Sequence, residues 1–279
     1  MHPAILIAII LFSAALLLAL LIQLLRVYML RPGKRNSEME KYKSIRYAHR
    51  GLHGDFAVEN TMQAFYAAER EGYGIELDVR LSKDNQVVVF HDDTLQRMCD
   101  RTERVDSKTA SELSWMEIKG TYERIPLFED VLAGIDPTTP LCIELKGNDT
   151  RLCVELMKLL DKEDRFYSVK SFNPMLINWF RINRPRVVRG VLVSNFLAKG
   201  HKGNIFTRFL ATTMVLNCIA QPDYISYDCR HPKLLPLVIC KKLYNVLTFT
   251  WTVNTPELYG NAKANGDIVV FEGFEPKRY

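Results

Sequence analysis

Eight short runs rich in β-branched and aromatic residues recur along this chain, each separated from the next by enough residues for a helix, and this alternation limits the possible folds more than any other feature. The runs lie at residues 45–49, 73–78, 141–146, 166–170, 187–193, 224–228, 246–251 and 268–271, with helical patterns between them at 61–71, 152–161, 174–182 and 232–243. A helical crossover brings the chain back to start the next strand in the same direction, so the strands are expected to lie parallel. Eight such units are expected to close into an α/β (β/α)8 TIM barrel. Residues 79–93 depart from the pattern: a further strand, 87–90, follows its predecessor too closely for a crossover, so the two are expected to pair antiparallel. With Asp84 and Asn85 as a two-residue turn, His91 falls opposite Asp78.

Residues 4–25 carry no charge, and only Ser13 and Gln23 interrupt their apolar character. About 20 such residues cross a bilayer, so a transmembrane helix is expected. A signal peptide would place positive charge ahead of the apolar run, and none stands there. Arg26, Arg31, Lys34, Arg35, Lys41 and Lys43 follow against Glu38 and Glu40, a surplus of four positive charges out of a formal +5 for the chain. The positive flank is expected to be cytoplasmic, beside anionic headgroups, which makes the lipid bilayer a partner of a single-pass protein. The remainder is nearly neutral, which argues against nucleic acid as a partner. The chain is expected to divide into an anchor and basic linker, residues 1–43, and one catalytic domain, residues 44–279. Cys99, Cys142, Cys153, Cys218, Cys229 and Cys240 show no C-x-x-C spacing and fit a reduced compartment, but their even number would also permit disulfides outside the cytoplasm, so the charge asymmetry decides the topology.

In such a barrel the active site forms at the C-terminal ends of the strands. Polar residues gather there: His49 and Arg50 after the first strand, Glu76 and Asp78 two apart on one face of the second, His91 and Asp92 after the hairpin, Glu144 and Lys146 on the next. Glu76, Asp78 and Glu144 converging from neighbouring strands would bind a hard divalent cation, Mg²⁺ or Ca²⁺, whereas zinc favours His and Cys. His49 and His91 titrate near neutrality and suit a general acid and base, while Arg50 and Lys146 offer donors to phosphate oxygens. A lone strand-end histidine is usually structural, but this many charges at one barrel mouth require each other or a ligand. The set describes metal-assisted phosphodiester cleavage.

In order along the chain, Tyr47-Ala48-His49-Arg50-Gly51, Glu59-Asn60-Thr61, Ile75-Glu76-Leu77-Asp78-Val79, Val89-Phe90-His91-Asp92, Ile143-Glu144-Leu145-Lys146, Ser171-Phe172 and Trp251-Thr252-Val253-Asn254 resemble the motifs of the glycerophosphodiester phosphodiesterase family. The resemblance implies a (β/α) barrel with one divalent metal held by Glu76, Asp78 and Glu144, an acid/base pair of His49 and His91, and phosphate contacts from Arg50 and Lys146. It also implies substrate-side roles for Trp251 and Asn254, and attack by a glycerol hydroxyl of the substrate to leave a cyclic phosphate that water then opens. Two places depart from the family pattern: Val58, where a proline is usual, and 270–273, where an Ile-Thr-Asp-like motif is usual. Asn60 is expected to cap the helix that begins at Thr61.

Two activities fit this resemblance. One is hydrolysis of soluble glycerophosphodiesters to sn-glycerol 3-phosphate and an alcohol; the other is lysophospholipase D action on lipids that keep one acyl chain. A catalytically idle, membrane-tethered binding module is the third reading, and both histidines and all three carboxylates argue against it. Residues 198–220 open with Lys199, His201, Lys202 and Arg208, then place Ile205, Phe206, Phe209, Leu210, Met214, Val215 and Leu216 at near-helical spacing. That stripe either packs on the sheet as an ordinary barrel helix or lies in the headgroup region of a bilayer.

Overall fold

The computed structural model describes residues 3–34, 39–118, 120–198 and 204–276. Nine strands are found among them: β1 (Arg46–Ala48), β2 (Gly74–Leu81), β3 (Val87–Val89), β4 (Leu141–Leu145), β5 (Tyr167–Ser171), β6 (Val188–Val193), β7 (Tyr224–Asp228), β8 (Leu247–Val253) and β9 (Ile268–Phe271). Eight run parallel in the order β1-β9-β8-β7-β6-β5-β4-β2, and the pairing of β1 with β2 closes the barrel. β3 is the exception, antiparallel to β2 at the open end of the series. Helices begin where the side chains can cap them. Thr61, Asn173 and Thr255 each accept a hydrogen bond from a first-turn amide, and Pro174 and Pro256 stand where a missing N–H costs nothing.

The hairpin register differs by one residue from that of a two-residue turn. Val79 pairs with Val89 and the Phe90 amide donates to the Asp78 carbonyl, so Phe90, not His91, lies opposite Asp78. The loop has three residues because Asn85 adopts a left-handed φ of +61°, which adds one residue to the turn. Val88 and Phe90 pack with Leu95, Val105, Ala110, Leu113 and Ile125 in a small apolar cluster, which holds the segment between β3 and β4 over the hairpin.

Inside the barrel, Tyr47, Tyr224 and Phe249 stack with ring centroids 5.6 and 4.3 Å apart. Gly190 leaves room for this layer, since a Cβ there would lie 2.2 Å from the Tyr224 ring. The aromatic layer floors the charged layer above it. Outside, one large cluster fills the space between strands and helices.

Helix Pro3–Met29 has no buried residue and is long and apolar enough to cross a membrane, a property that a signal sequence shares. Its end is docked on the barrel: Leu30 is fully buried with Ile177, Val191, Met214 and Cys240. Arg35 and Glu38 of the basic linker lie outside the described residues, as do Lys199, His201 and Lys202. Helix Ile205–Thr213 ends at Met214, whose φ is +56°. The stripe divides: Met214 is buried, whereas Ile205, Phe206 and Phe209 are 64%, 64% and 47% exposed, so this is not a barrel helix that buries its whole apolar face.

Candidate active site

The strand register places the charges. Asp78, Glu144 and Lys170 are paired neighbours across β2, β4 and β5, and Glu76 lies two residues before Asp78 on the same inward face. Ligand oxygens of Glu76, Asp78 and Glu144 lie within 4.8 Å of one another, and all three side chains are buried. Lys146 bridges Asp78, at 3.0 Å, and Glu144. Lys170, also buried, lies 2.7 Å from Glu76 and 3.7 Å from Glu144. Burial pushes the Asp78 carboxyl up, but the charges of Lys146, His91 and Arg50 outweigh it and hold the group far below the ordinary carboxylate range. Glu76 is likewise held down, against its burial, by Lys170 and His49. The set fits a divalent cation. Three buried carboxylates already draw an ammonium between two of them, and Glu76 Oε1 has the Lys170 ion pair without a well-directed hydrogen bond.

His49 and His91 stand in matching surroundings. His49 Nδ1 lies 2.5 Å from Glu272 Oε2, and its Nε2 lies 4.0 Å from Glu76. His91 Nδ1 lies 2.5 Å from Asp92 Oδ1. With each Nδ1–H donated to a carboxylate, Nε2 is the nitrogen left for a proton exchange. Burial holds the His91 ring below its ordinary value against the pull of Asp78.

Arg50 takes a left-handed φ of +56°, which lets its amide donate to Glu76 Oε2 at 3.0 Å while its guanidinium reaches Glu59 at 2.6 Å and Asp78 at 3.4 Å. Arg97 joins Glu59, at 2.7 Å, to Asp92, at 2.6 Å, so a chain of ion pairs links Arg50 to the His91 segment. Trp251 is half-buried against Phe172, centroids 5.7 Å apart, and Phe172 meets Phe196 at 5.5 Å. Asn254 follows β8 and is exposed; among the described residues no hydrogen bond ties it to this group.

Several members of the site are not evident from the motifs. Asn60 does not cap the helix: Thr61 does, and Asn60 instead donates from Nδ2 to Asp78 Oδ2 at 2.9 Å and accepts from the Asp78 amide. Its left-handed φ of +57° turns the side chain into the barrel. Lys170 and Glu272 lie outside the motifs, and Glu272 is separated from His49 by most of the barrel's sequence. Strand register offers a signal for both: Lys170 pairs with Glu144 and shares its face, and Tyr47 pairs with Val270, so His49 and Glu272, each two residues on, share a face.

Residues 49–271 match the model of the Glycerophosphoryl diester phosphodiesterase family. The chain is 31% identical over 233 residues to YhdW of Bacillus subtilis, covering 78% of this chain and 90% of that protein. It is 32% identical over 277 residues to lysophospholipase D GDPD1 of Mus musculus, covering 85% and 86%. Among solved structures, glycerophosphodiester phosphodiesterase from Thermotoga maritima is similar with a TM-score of 0.63 and 24% identity over 81% of this chain and 94% of that one. A phosphodiesterase of Oleispira antarctica, solved with the product sn-glycerol-3-phosphate, gives 0.67 and 21% over 84% and 94%. These likenesses to solved structures are of fold, and they agree with the closed barrel described above. With the family matched across nearly the whole barrel and the ordered motifs gathered at one barrel mouth, this chain belongs to the glycerophosphodiester phosphodiesterase family.

Proposed function

We propose that this chain hydrolyses glycerophosphodiesters to sn-glycerol 3-phosphate and an alcohol, as a single-pass membrane protein with the barrel of residues 44–279 on the cytoplasmic side. The observation that carries the reading is the pair of carboxylate-held histidines, His49 and His91, flanking the Glu76, Asp78 and Glu144 cluster. These three carboxylates would hold one Mg²⁺ or Ca²⁺, which polarises a phosphoryl oxygen when bound. Arg50 and Lys146 then offset charge developing on the phosphate, and one histidine takes a proton from the attacking hydroxyl while the other gives one to the leaving alcohol. Trp251 and Asn254 are assigned to the substrate side.

A second reading, lysophospholipase D action, has an observation of its own. A cavity of about 1400 Å³ runs from Lys146 past Phe172 and Phe196 to Leu210, Ala211 and Leu216. Those last residues belong to the segment whose exposed Ile205, Phe206 and Phe209 suit a bilayer surface. An acyl chain entering from lipid would follow that groove. The two readings separate when the purified protein is given glycerophosphocholine and lysophosphatidylcholine, with and without EDTA. Turnover of either that EDTA abolishes and excess Mg²⁺ or Ca²⁺ restores is expected, and turnover of neither sinks the enzymatic reading. A preference for the lysolipid that falls in a Phe206→Ala, Phe209→Ala variant supports the second; an unchanged preference and unchanged liposome binding count against it.

A further inference from the structure

We infer that His49, His53 and Glu272 form a second cation site, distinct from the carboxylate cluster and suited to a late first-row divalent ion such as zinc. Ligand atoms of the three residues lie within 4.8 Å of one another. Two imidazoles and one carboxylate are a zinc-type donor set, whereas the cluster of Glu76, Asp78 and Glu144 offers oxygen alone. Chemistry therefore sorts the ions between neighbouring sites.

His53 points to a ligand. Its Nε2 is buried without a hydrogen-bond partner among the described residues, 3.9 Å from Glu272 Oε1. The site is reachable, because Glu272 is 36% exposed and stands at the rim of the barrel mouth after β9. A tetrahedral ion with bonds of 2.0–2.1 Å needs ligand atoms roughly 3.3 Å apart. The 2.5 Å contact of His49 Nδ1 with Glu272 would have to open, and the 3.9 Å gap to His53 to close, each by roughly an ångström or less. Rotation of the half-exposed Glu272 side chain supplies that movement.

His49 is shared between the two sites. Its Nδ1 faces Glu272 and its Nε2 faces Glu76 at 4.0 Å. An ion on Nδ1 takes the nitrogen whose hydrogen bond orients the ring, so zinc bound here is expected to stop turnover while the carboxylate cluster keeps its own cation. This consequence rests on the role proposed for His49; the binding itself does not.

The test uses the full chain in detergent with magnesium in large excess, titrated with zinc against a chromophoric chelator. One zinc ion per chain is expected, weakened on the order of 10- to 100-fold in His53→Ala and in Glu272→Gln, at least the loss seen when an outer partner of a ligand is removed. His53→Asn replaces His53→Ala if the latter does not fold. Zinc affinity equal in wild type and both variants would place the ion elsewhere, and zinc binding abolished by the magnesium would place it among Glu76, Asp78 and Glu144; either result overturns the inference. Zinc held through His53 that leaves turnover unchanged supports the site and counts against His49 as a proton carrier.

Discussion

His49 follows β1 and His91 follows the β2–β3 hairpin, yet each rests on a carboxylate at 2.5 Å, Glu272 for one and Asp92 for the other. Replacing either histidine by alanine is expected to lower kcat by on the order of 10² to 10⁴, the usual range for general acid or base catalysis. A variant with raised KM and unchanged kcat would contradict the assignment. Glu59 supports the same region from outside. Burial pushes its carboxyl up, but the hydrogen bonds of Arg97 and the charge of Arg50 prevail and hold it down at about 2, from an ordinary 4.5. A carboxylate depressed in the folded state contributes stability that is present above its unfolded value and is lost as pH falls through the folded one. Glu59→Gln should therefore lower stability at neutral pH and flatten the acid limb between about pH 4.5 and 2, read from urea midpoints across pH. Parallel acid limbs for the two proteins would remove Glu59 from the account.

At the scale of elements, strand periodicity was legible and side-chain destination was only partly so. The eight parallel strands fall within a few residues of their expected places, and two, Tyr224–Asp228 and Ile268–Phe271, coincide with them. The hairpin register slipped by one because a left-handed Asn85 leaves no local mark that separates a three-residue loop from a two-residue one. Asn60 was equally ambiguous: an asparagine ahead of a helix is a good cap, and only the third dimension brings Asp78 within its reach. The convergence of Glu76, Asp78 and Glu144 could be read because Glu76 and Asp78 are two apart on one strand, whereas Lys170 required the β4–β5 register and Glu272 the β1–β9 pairing of the closed barrel. The turn after β1 carries a prediction. Gly51 has a φ of +81°, and a Cβ there would lie 2.8 Å from the Ala64 backbone and side chain. Alanine in a left-handed conformation costs about 1–2 kcal/mol, and overpacking about 1–3 more. At roughly 2–4 °C per kcal/mol, Gly51→Ala should melt on the order of 10 °C lower. Gly54→Ala, where the new methyl meets nothing within 4 Å, should melt with the wild type. Similar melting of both variants would show that the turn yields to the methyl.

On the scale of the whole molecule, the apolar helix and the barrel are joined by packing as well as by sequence. The proposed anchor, residues 1–43, is set apart from the barrel by its function, but several of its described residues pack on the barrel: Leu30 against one apolar cluster, Met39 and Tyr42 against the cluster of the interior aromatic layer. The Tyr244 hydroxyl donates to the Val27 carbonyl at 2.7 Å, Leu30 is fully buried, and the Gly33 amide donates to the Pro222 carbonyl at 2.6 Å. Met39 and Tyr42 follow, both buried, with the Tyr42 hydroxyl donating to the Tyr167 carbonyl at 2.9 Å. Of these contacts the one at Val27 lies in the helix, which has no buried residue, and the rest secure the stretch that follows it. Emptying a fully buried leucine site costs about 2–5 kcal/mol, so Leu30→Ala should lower the melting temperature by on the order of 10 °C. A chain beginning at residue 26 retains every one of these contacts and should melt with the intact protein in detergent. A chain beginning at residue 44 loses Leu30, Met39 and Tyr42 together and should melt lower than Leu30→Ala. If the chains beginning at 26 and 44 melt at the same temperature, the segment lies on the barrel without stabilising it.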